Sequence, residues 1–225
     1  MSMERFMEIW TQYHEQIWES IGQTFYMVGM STLAAVILGI PLGTLIFLTR
    51  PGEMLSNRTA SAGINIVVNV IRSFPFLLLV VFMFPLTRAI VGTTIGTTAA
   101  TVPLAVVAVA GYSRLVEQAL VEVPRGVIEA ARSMGASKLE IVWKFLYVEA
   151  RSGLVLGLTT SIVSFISYST VVGIVGGGGV GDFAIRYGYQ RFEMDVTLCM
   201  VVLMVLLVQA VQVGGSYISR RIDKR

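Results

Sequence analysis

The chain has 225 residues, of which 55% are hydrophobic and only 14% charged, with a formal charge of +3. A soluble domain usually carries about a quarter charged side chains, so this composition excludes a water-soluble enzyme or binding module. The small net charge gives no nucleic-acid-binding face, and the single cysteine, Cys199, excludes an internal disulfide or a thiolate cluster.

Residues 1–20 come first and read as an amphipathic extracytoplasmic segment. Phe6, Trp10, Tyr13 and Ile17 repeat at helical spacing, with Glu4, Glu8, Glu15 and Glu19 among them and Arg5 the lone basic residue. That is the reverse of a cationic leader, so the segment is expected to stay on the chain, with the first apolar block serving as signal and anchor. Either it lies as a helix on the outer membrane surface, or it simply extends the first span. His14 has no second histidine to join it as a metal ligand.

Residues 21–217 form a single all-α transmembrane domain. Crossing about 30 Å of hydrocarbon takes roughly 20 helical residues. Five blocks satisfy this: Ile21–Leu48, Ile64–Leu86, Ala89–Gly111, Gly153–Val175 and Val196–Tyr217. Only the second contains a charge, Arg72, and Pro75 is expected to bend it. Arg72 can snorkel to the interface or make a structural or gating contact. The pairs Gly39/Gly43 and Gly153/Gly157 have the spacing that lets helices approach closely. Twelve basic residues fall in the regions around Arg50 and Arg58, in 112–152 and in the basic tail 218–225, against four on the other side. The positive-inside rule therefore puts the amino terminus outside, with the tail and the 112–152 loop in the cytoplasm.

That loop has a plan. Pro124 suits the first turn of a helix. Val127, Ala131 and Met134 form an apolar stripe, while Arg125, Glu129 and Arg132 fall on another face. Gly135 is a helix stop, and Ser137-Lys138-Leu139-Glu140 reads as a capping box opening a second helix. The pattern predicts a short helix, a glycine turn and a longer helix returning to the membrane. It serves either as a docking element for a cytoplasmic partner or as a solvated connection.

Glu129-Ala130-Ala131, followed by Met134, Gly135 and Ala136, resembles the EAA loop of bacterial binding-protein-dependent ABC importers. Asn69–Phe76, Pro85–Thr93 with Thr94–Gly96, and the glycine run Gly176–Gly179 with Gly181 and Tyr187–Tyr189 are similar to segments of the methionine-type permeases of that group. One departure stands out: Phe145, Leu146, Tyr147 and Val148 occupy places where the family pattern ends in proline, so the usual helix break is in question. The resemblance implies a type I importer permease fold in the bacterial inner membrane and a homodimer embedded in lipid. It also implies two copies of a separate ATPase that carries ATP and Mg, and an extracytoplasmic lipoprotein that delivers L-methionine, with D-methionine and related derivatives. Residues 129–131 and 134–136 would be the ATPase-coupling residues. This chain would bind no cofactor of its own.

Ser167, Tyr168, Ser169 and Thr170, beside the glycine run, can line and gate a path between two copies; the opposing reading is hydroxyls bonded to their own helix. No Gly-Lys-Ser/Thr follows the glycines, so they are not a phosphate cradle. An ion-coupled transporter normally needs carboxylates near mid-membrane, which these spans lack. An intramembrane enzyme would need a catalytic pair that is also missing. A permease for another small amino acid or organic substrate remains the runner-up.

Overall fold

The computed structural model describes residues 3–223, with side chains from Met7 onward; Phe6 and the last two basic residues of the tail lie outside the described side chains. Among those residues every regular element is helical. In chain order they are α1 (Met3–Ala34), α2 (Ile40–Thr49), α3 (Arg58–Ser73), α4 (Phe76–Phe82), α5 (Phe84–Val91) and α6 (Thr97–Val121). There follow α7 (Arg125–Ser133), α8 (Lys138–Glu140), α9 (Tyr147–Gly173), α10 (Gly179–Phe183) and α11 (Met194–Ile222). Three short stretches, Ala35–Gly39, Ile141–Leu146 and Ala184–Tyr189, wind as wider π turns. Helix is the expected solution where no water is present to satisfy a free backbone group.

Four helical rods are long and apolar enough to cross a bilayer: Met7–Thr49, Thr97–Val121, Lys138–Gly173 and Met194–Ile222. The fifth expected span exists only as a broken pair, α3 and α4. Pro75, with φ −57° and ψ 127°, leaves helical geometry and caps α4, so the residue expected to bend the span interrupts it. Two further boundaries differ from the sequence expectation. The third span does not begin at Ala89, because α5 ends at Val91 and Gly92 turns left-handed. Nor does it stop at Gly111: α6 continues to Val121, because Arg114 is neutralised by Glu117 one turn later. The supposed 112–152 loop is thus mostly helix.

The opening helix has no boundary near residue 20. It runs on into the first span, giving 43 helical residues in sequence, about twice the roughly 20 needed to cross the hydrocarbon. Of its apolar stripe, Tyr13 and Ile17 face protein, Trp10 stays exposed, and Ile9 joins the buried side. Ile9, Tyr13 and Ile17 are buried with Val180, Phe183, Val196, Cys199 and Met200. Tyr13 meets the rings of Phe183 and Tyr187 edge-on, at 5.9 and 5.5 Å.

The chain divides into two compact units. The first comprises the residues to Leu33, Phe74–Val107 and Ile162–Val211. Besides the cluster just described it holds a second, of Met27, Val80, Ala100, Leu104 and Val172, with Phe76 and Tyr168 against it. The second unit comprises Ala34–Ser73, Ala108–Ser161 and the chain from Gln212. Its organising element is the Ala108–Val121 part of α6, which two helices approach through glycines. A Cβ on Gly43 of α2 would strike the Ser113 carbonyl and the Val116 side chain, and one on Gly39 would press on Tyr112. From α9, Gly153 faces Ala119 and Gly157 faces Leu115, each leaving 3.1 Å for a Cβ. Both small-residue pairs therefore permit close packing on one helix. Polar links tie α9 in as well: the Tyr112 hydroxyl donates to the Leu154 carbonyl, and Tyr147 and Thr44 share a hydrogen bond of 2.7 Å.

Gly43→Ala should therefore destabilise the detergent-solubilised protein by about 1–3 kcal/mol, the usual cost of overpacking. Gly63→Ala, at a site with open space in mid-helix, should be neutral or gain up to about 1 kcal/mol. Thermal unfolding of the two variants compares them directly; equal midpoints would contradict the close-packing assignment.

Candidate functional site

The helix-turn-helix that follows α6 belongs entirely to the second unit. Val123 is buried, Pro124 caps α7 with an extended backbone, and α7 runs for nine residues. Its inner side is Ile128 and Ala131, both buried, and it packs against the π turn Ile141–Leu146, where Ile141, Val142 and Leu146 are buried. The expected stripe is rotated: Val127 is half-buried, Ile128 takes the inner place, and Met134 points outward at 68% exposure. The shift follows from the helix ending at Ser133, which puts Met134 at the cap.

The turn is tightly specified. Ala136 N–H donates to the Ala131 carbonyl, and Gly135 N–H to the Arg132 carbonyl. This is the paired Schellman pattern, with Gly135 in the left-handed position at φ 79°. Ser137 then forms the capping box: its hydroxyl accepts from Glu140 N–H, and its own N–H donates to the Glu140 carboxylate. Lys144 holds the other carboxylate oxygen at 2.9 Å. From Lys138 the helix runs unbroken to Gly173, so the missing family proline at Val148 does remove the break, and the π turn just before it is the only irregularity.

Of the six expected coupling residues, Glu129, Ala130, Met134 and Gly135 are exposed, Ala136 is half-buried and Ala131 fully buried. Leu139, seen in the sequence only as part of the capping box, and Trp143, which carried no signal there, are 69% and 63% exposed and add apolar surface to the same segment. The segment thus presents Arg125, Glu129 and Arg132 of α7 together with exposed Met134, Leu139 and Trp143 on its outer surface.

Ser167, Tyr168, Ser169 and Thr170 lie on α9 in the first unit but do not share one face. Ser169 is buried and donates to the Ile166 carbonyl; Ser167 and Thr170 likewise donate to carbonyls of their own helix. Tyr168 lies tilted against Phe76, with ring centroids 4.7 Å apart and planes at 31°. Only Ser167 is exposed. The neighbouring glycines are fitted, not slack. Gly177 N–H donates to the Val172 carbonyl and Gly176 N–H to the Gly173 carbonyl, with Gly176 left-handed at φ 80°. Gly181 leaves no room for a Cβ against Thr170. Two residues not anticipated complete the hairpin: Gln23 accepts from Gly179 N–H at 2.6 Å and Thr24 from Val180 N–H at 3.0 Å. The first helix thus caps α10 with its own side chains. Beside α10, Asp182 pairs with Arg186 and holds the guanidinium above its ordinary pKa.

A polar network also lies in the second unit. Arg114 donates to Glu117 at 2.7 Å and to Asn69 at 2.9 Å, and Arg50 reaches Glu117 at 3.4 Å. The Arg114 and Glu117 side chains are only 14% and 13% exposed. In sequence they were merely two charges in a loop; their spacing of three on a helix was the signal available.

Four helices long and apolar enough to cross a bilayer, or five if the broken pair counts as one, define a polytopic membrane protein. Comparison makes this specific. Residues 35–225 match the family described as binding-protein-dependent transport system inner membrane component, and the chain belongs to that family of multi-pass inner-membrane proteins. It is 44% identical over 214 residues to the probable D-methionine transport system permease protein MetI of Pasteurella multocida, covering 93% of this chain and 99% of the relative. It is 39% identical to the methionine import system permease protein MetP of Bacillus subtilis, covering 93% and 95%. It also matches the whole of a chain from the inward-facing MetNI methionine ABC transporter, with a TM-score of 0.90 and 38% identity.

The left-handed turn makes a discriminating test. Gly135 has open space around it, so Gly135→Ala should cost only backbone strain, about 1–2 kcal/mol. Gly135→Asn, which tolerates that conformation, should keep more activity than the alanine variant. Substrate uptake at matched membrane levels measures both, and a reversed order would show that the turn geometry is irrelevant.

Proposed function

We infer that this chain is the permease subunit of an ATP-driven ABC importer of methionine, taking the L-isomer and also D-methionine. The observation that carries the reading is near full-length identity of about two-fifths to permeases named for methionine transport, in two distant bacteria. The match to a chain of a solved methionine ABC transporter supports it. The working unit is a homodimer embedded in lipid and joined to two copies of an ATPase subunit. ATP and Mg are bound there and hydrolysed there, and an extracytoplasmic lipoprotein delivers the substrate. The amino terminus is outside, and α7 lies in the cytoplasm.

On this reading α7 is the coupling helix. Glu129, Ala130, Met134 and Gly135 form its outward face, seated in a cleft of the ATPase, while Ala131 and Ala136 keep the turn close to the helix behind. Nucleotide-driven movement of the partner displaces α7, and the dimer exposes its path alternately to the two sides. The hydroxyls of α9 act there as packing groups, and exposed Ser167 is the one available to the path.

Labelled methionine uptake should disappear in cells lacking the chain and return when it is restored. Glu129→Lys should cut the restored uptake roughly tenfold, the effect of losing one strong interface contact, with membrane levels unchanged. Undiminished uptake by this variant would argue against the docking role, and uptake that ignores deletion of the chain would argue against the transporter itself.

A further inference from the structure

The network around Arg114 borders an open cleft of about 590 Å³ in the second unit. On the cleft wall stand two further groups of opposite sign. Arg72 is exposed on the last turn of α3, and Glu122 is exposed directly after α6. Among the described residues neither has a carboxylate or cationic partner. Arg114, by contrast, is engaged by Glu117 and Asn69, yet its Nε is buried with no acceptor.

Opposite charges that face one another across a water-filled cleft gain little while it is open and more once closure excludes the water between them. Here one set is paired and enclosed, while a complementary set faces an open space unpaired. Glu122 also stands two residues before Pro124, the cap of α7, so any displacement of α7 moves it first. We propose that Arg72 and Glu122 of the same chain form an ion pair that closes this cleft in one state of the transport cycle and parts in the state seen here. The inference rests on the importer reading above and adds a latch to it. The Arg114–Glu117 pair, with Asn69 and Arg50 bonded to it from the exposed rim, fixes the hinge side of the cleft, and the Arg72–Glu122 pair is its clasp. Both are positioning residues: they touch no substrate and act through α7. A snorkelling Arg72, engaged only with lipid phosphate, would be indifferent to the charge at 122.

The test is made on the whole complex in cell membranes. Arg72→Glu and Glu122→Arg should each lower methionine uptake roughly fivefold at unchanged membrane level, and the double exchange should return it to within about twofold of the unsubstituted protein, the size of effect expected for two coupled charges. In a Cys199→Ser background, Arg72→Cys with Glu122→Cys should join through a short bifunctional thiol reagent, in a yield that changes between nucleotide-free and ATP-containing membranes. A double exchange no better than the single variants overturns the proposal. So does a cysteine pair that never joins, joins equally in all conditions, or joins two chains instead of one. If the unsubstituted chain supports no methionine uptake, the importer reading fails, while the cross-link still reports whether the latch exists.

Discussion

Close approach to α6 is the contact on which the second unit depends. Lipid surrounds membrane helices with a solvent as apolar as their own side chains, so the hydrophobic effect gives them little reason to associate, and packing must hold them. Glycine at positions 43, 153 and 157 brings backbones to the surface of α6, where many small dispersion contacts add up. The Ser152–Ser219 hydrogen bond at 3.0 Å and the Thr44–Tyr147 bond reinforce the arrangement. The result is a firm seat for the end of α6. α7 begins four residues beyond that end, so on the proposed reading its displacement would reach a packed body instead of a slack loop.

The same helix carries a largely enclosed ion pair, Arg114 with Glu117. Desolvating Arg114 and Glu117 is expensive, and their attraction offsets it only because Asn69 and Arg50 share the charge. Stability alone is a weak reason to keep such a group in an apolar setting. A network that ties the α3 and α6 helices and the cap of α2 to one another, beside an open cleft, is better explained by the need to hold one side of a moving joint while the other side opens.

The parts of this arrangement visible in the sequence were those with a local chemical signature. Gly135 announced its turn, Ser137 and Glu140 their capping box, and the spaced glycines their close contacts, because each depends on only a few neighbouring residues. The length of α6 was missed because Arg114 looks like the end of a span until Glu117 is seen to neutralise it. The opening helix showed its apolar stripe plainly, but nothing in the stripe says whether lipid or protein covers it; Phe183 and Val196 do so from far along the chain. Gln23 and Thr24 gave no sign of capping α10, since their partners lie 156 residues away. Phe192 makes the point from the other side. Its left-handed φ of 59° and the Glu193-to-Gly188 hydrogen bond reproduce the turn at Gly135, but with no glycine to mark it. As for the candidate path, four adjacent polar residues on a helix point in different directions, and burial sorts them only once the fold is known.

A coupling role for α7 requires that it face the cytoplasm, where the proposed ATPase partner would hydrolyse nucleotide. Cysteine placed at exposed Ala130, with the single native Cys199 replaced by serine, can be probed with a membrane-impermeant thiol reagent in intact and in permeabilised cells. Labelling confined to permeabilised cells is the predicted result. Equal labelling of intact cells would put the helix on the wrong side of the membrane and leave the transporter with no route for its energy.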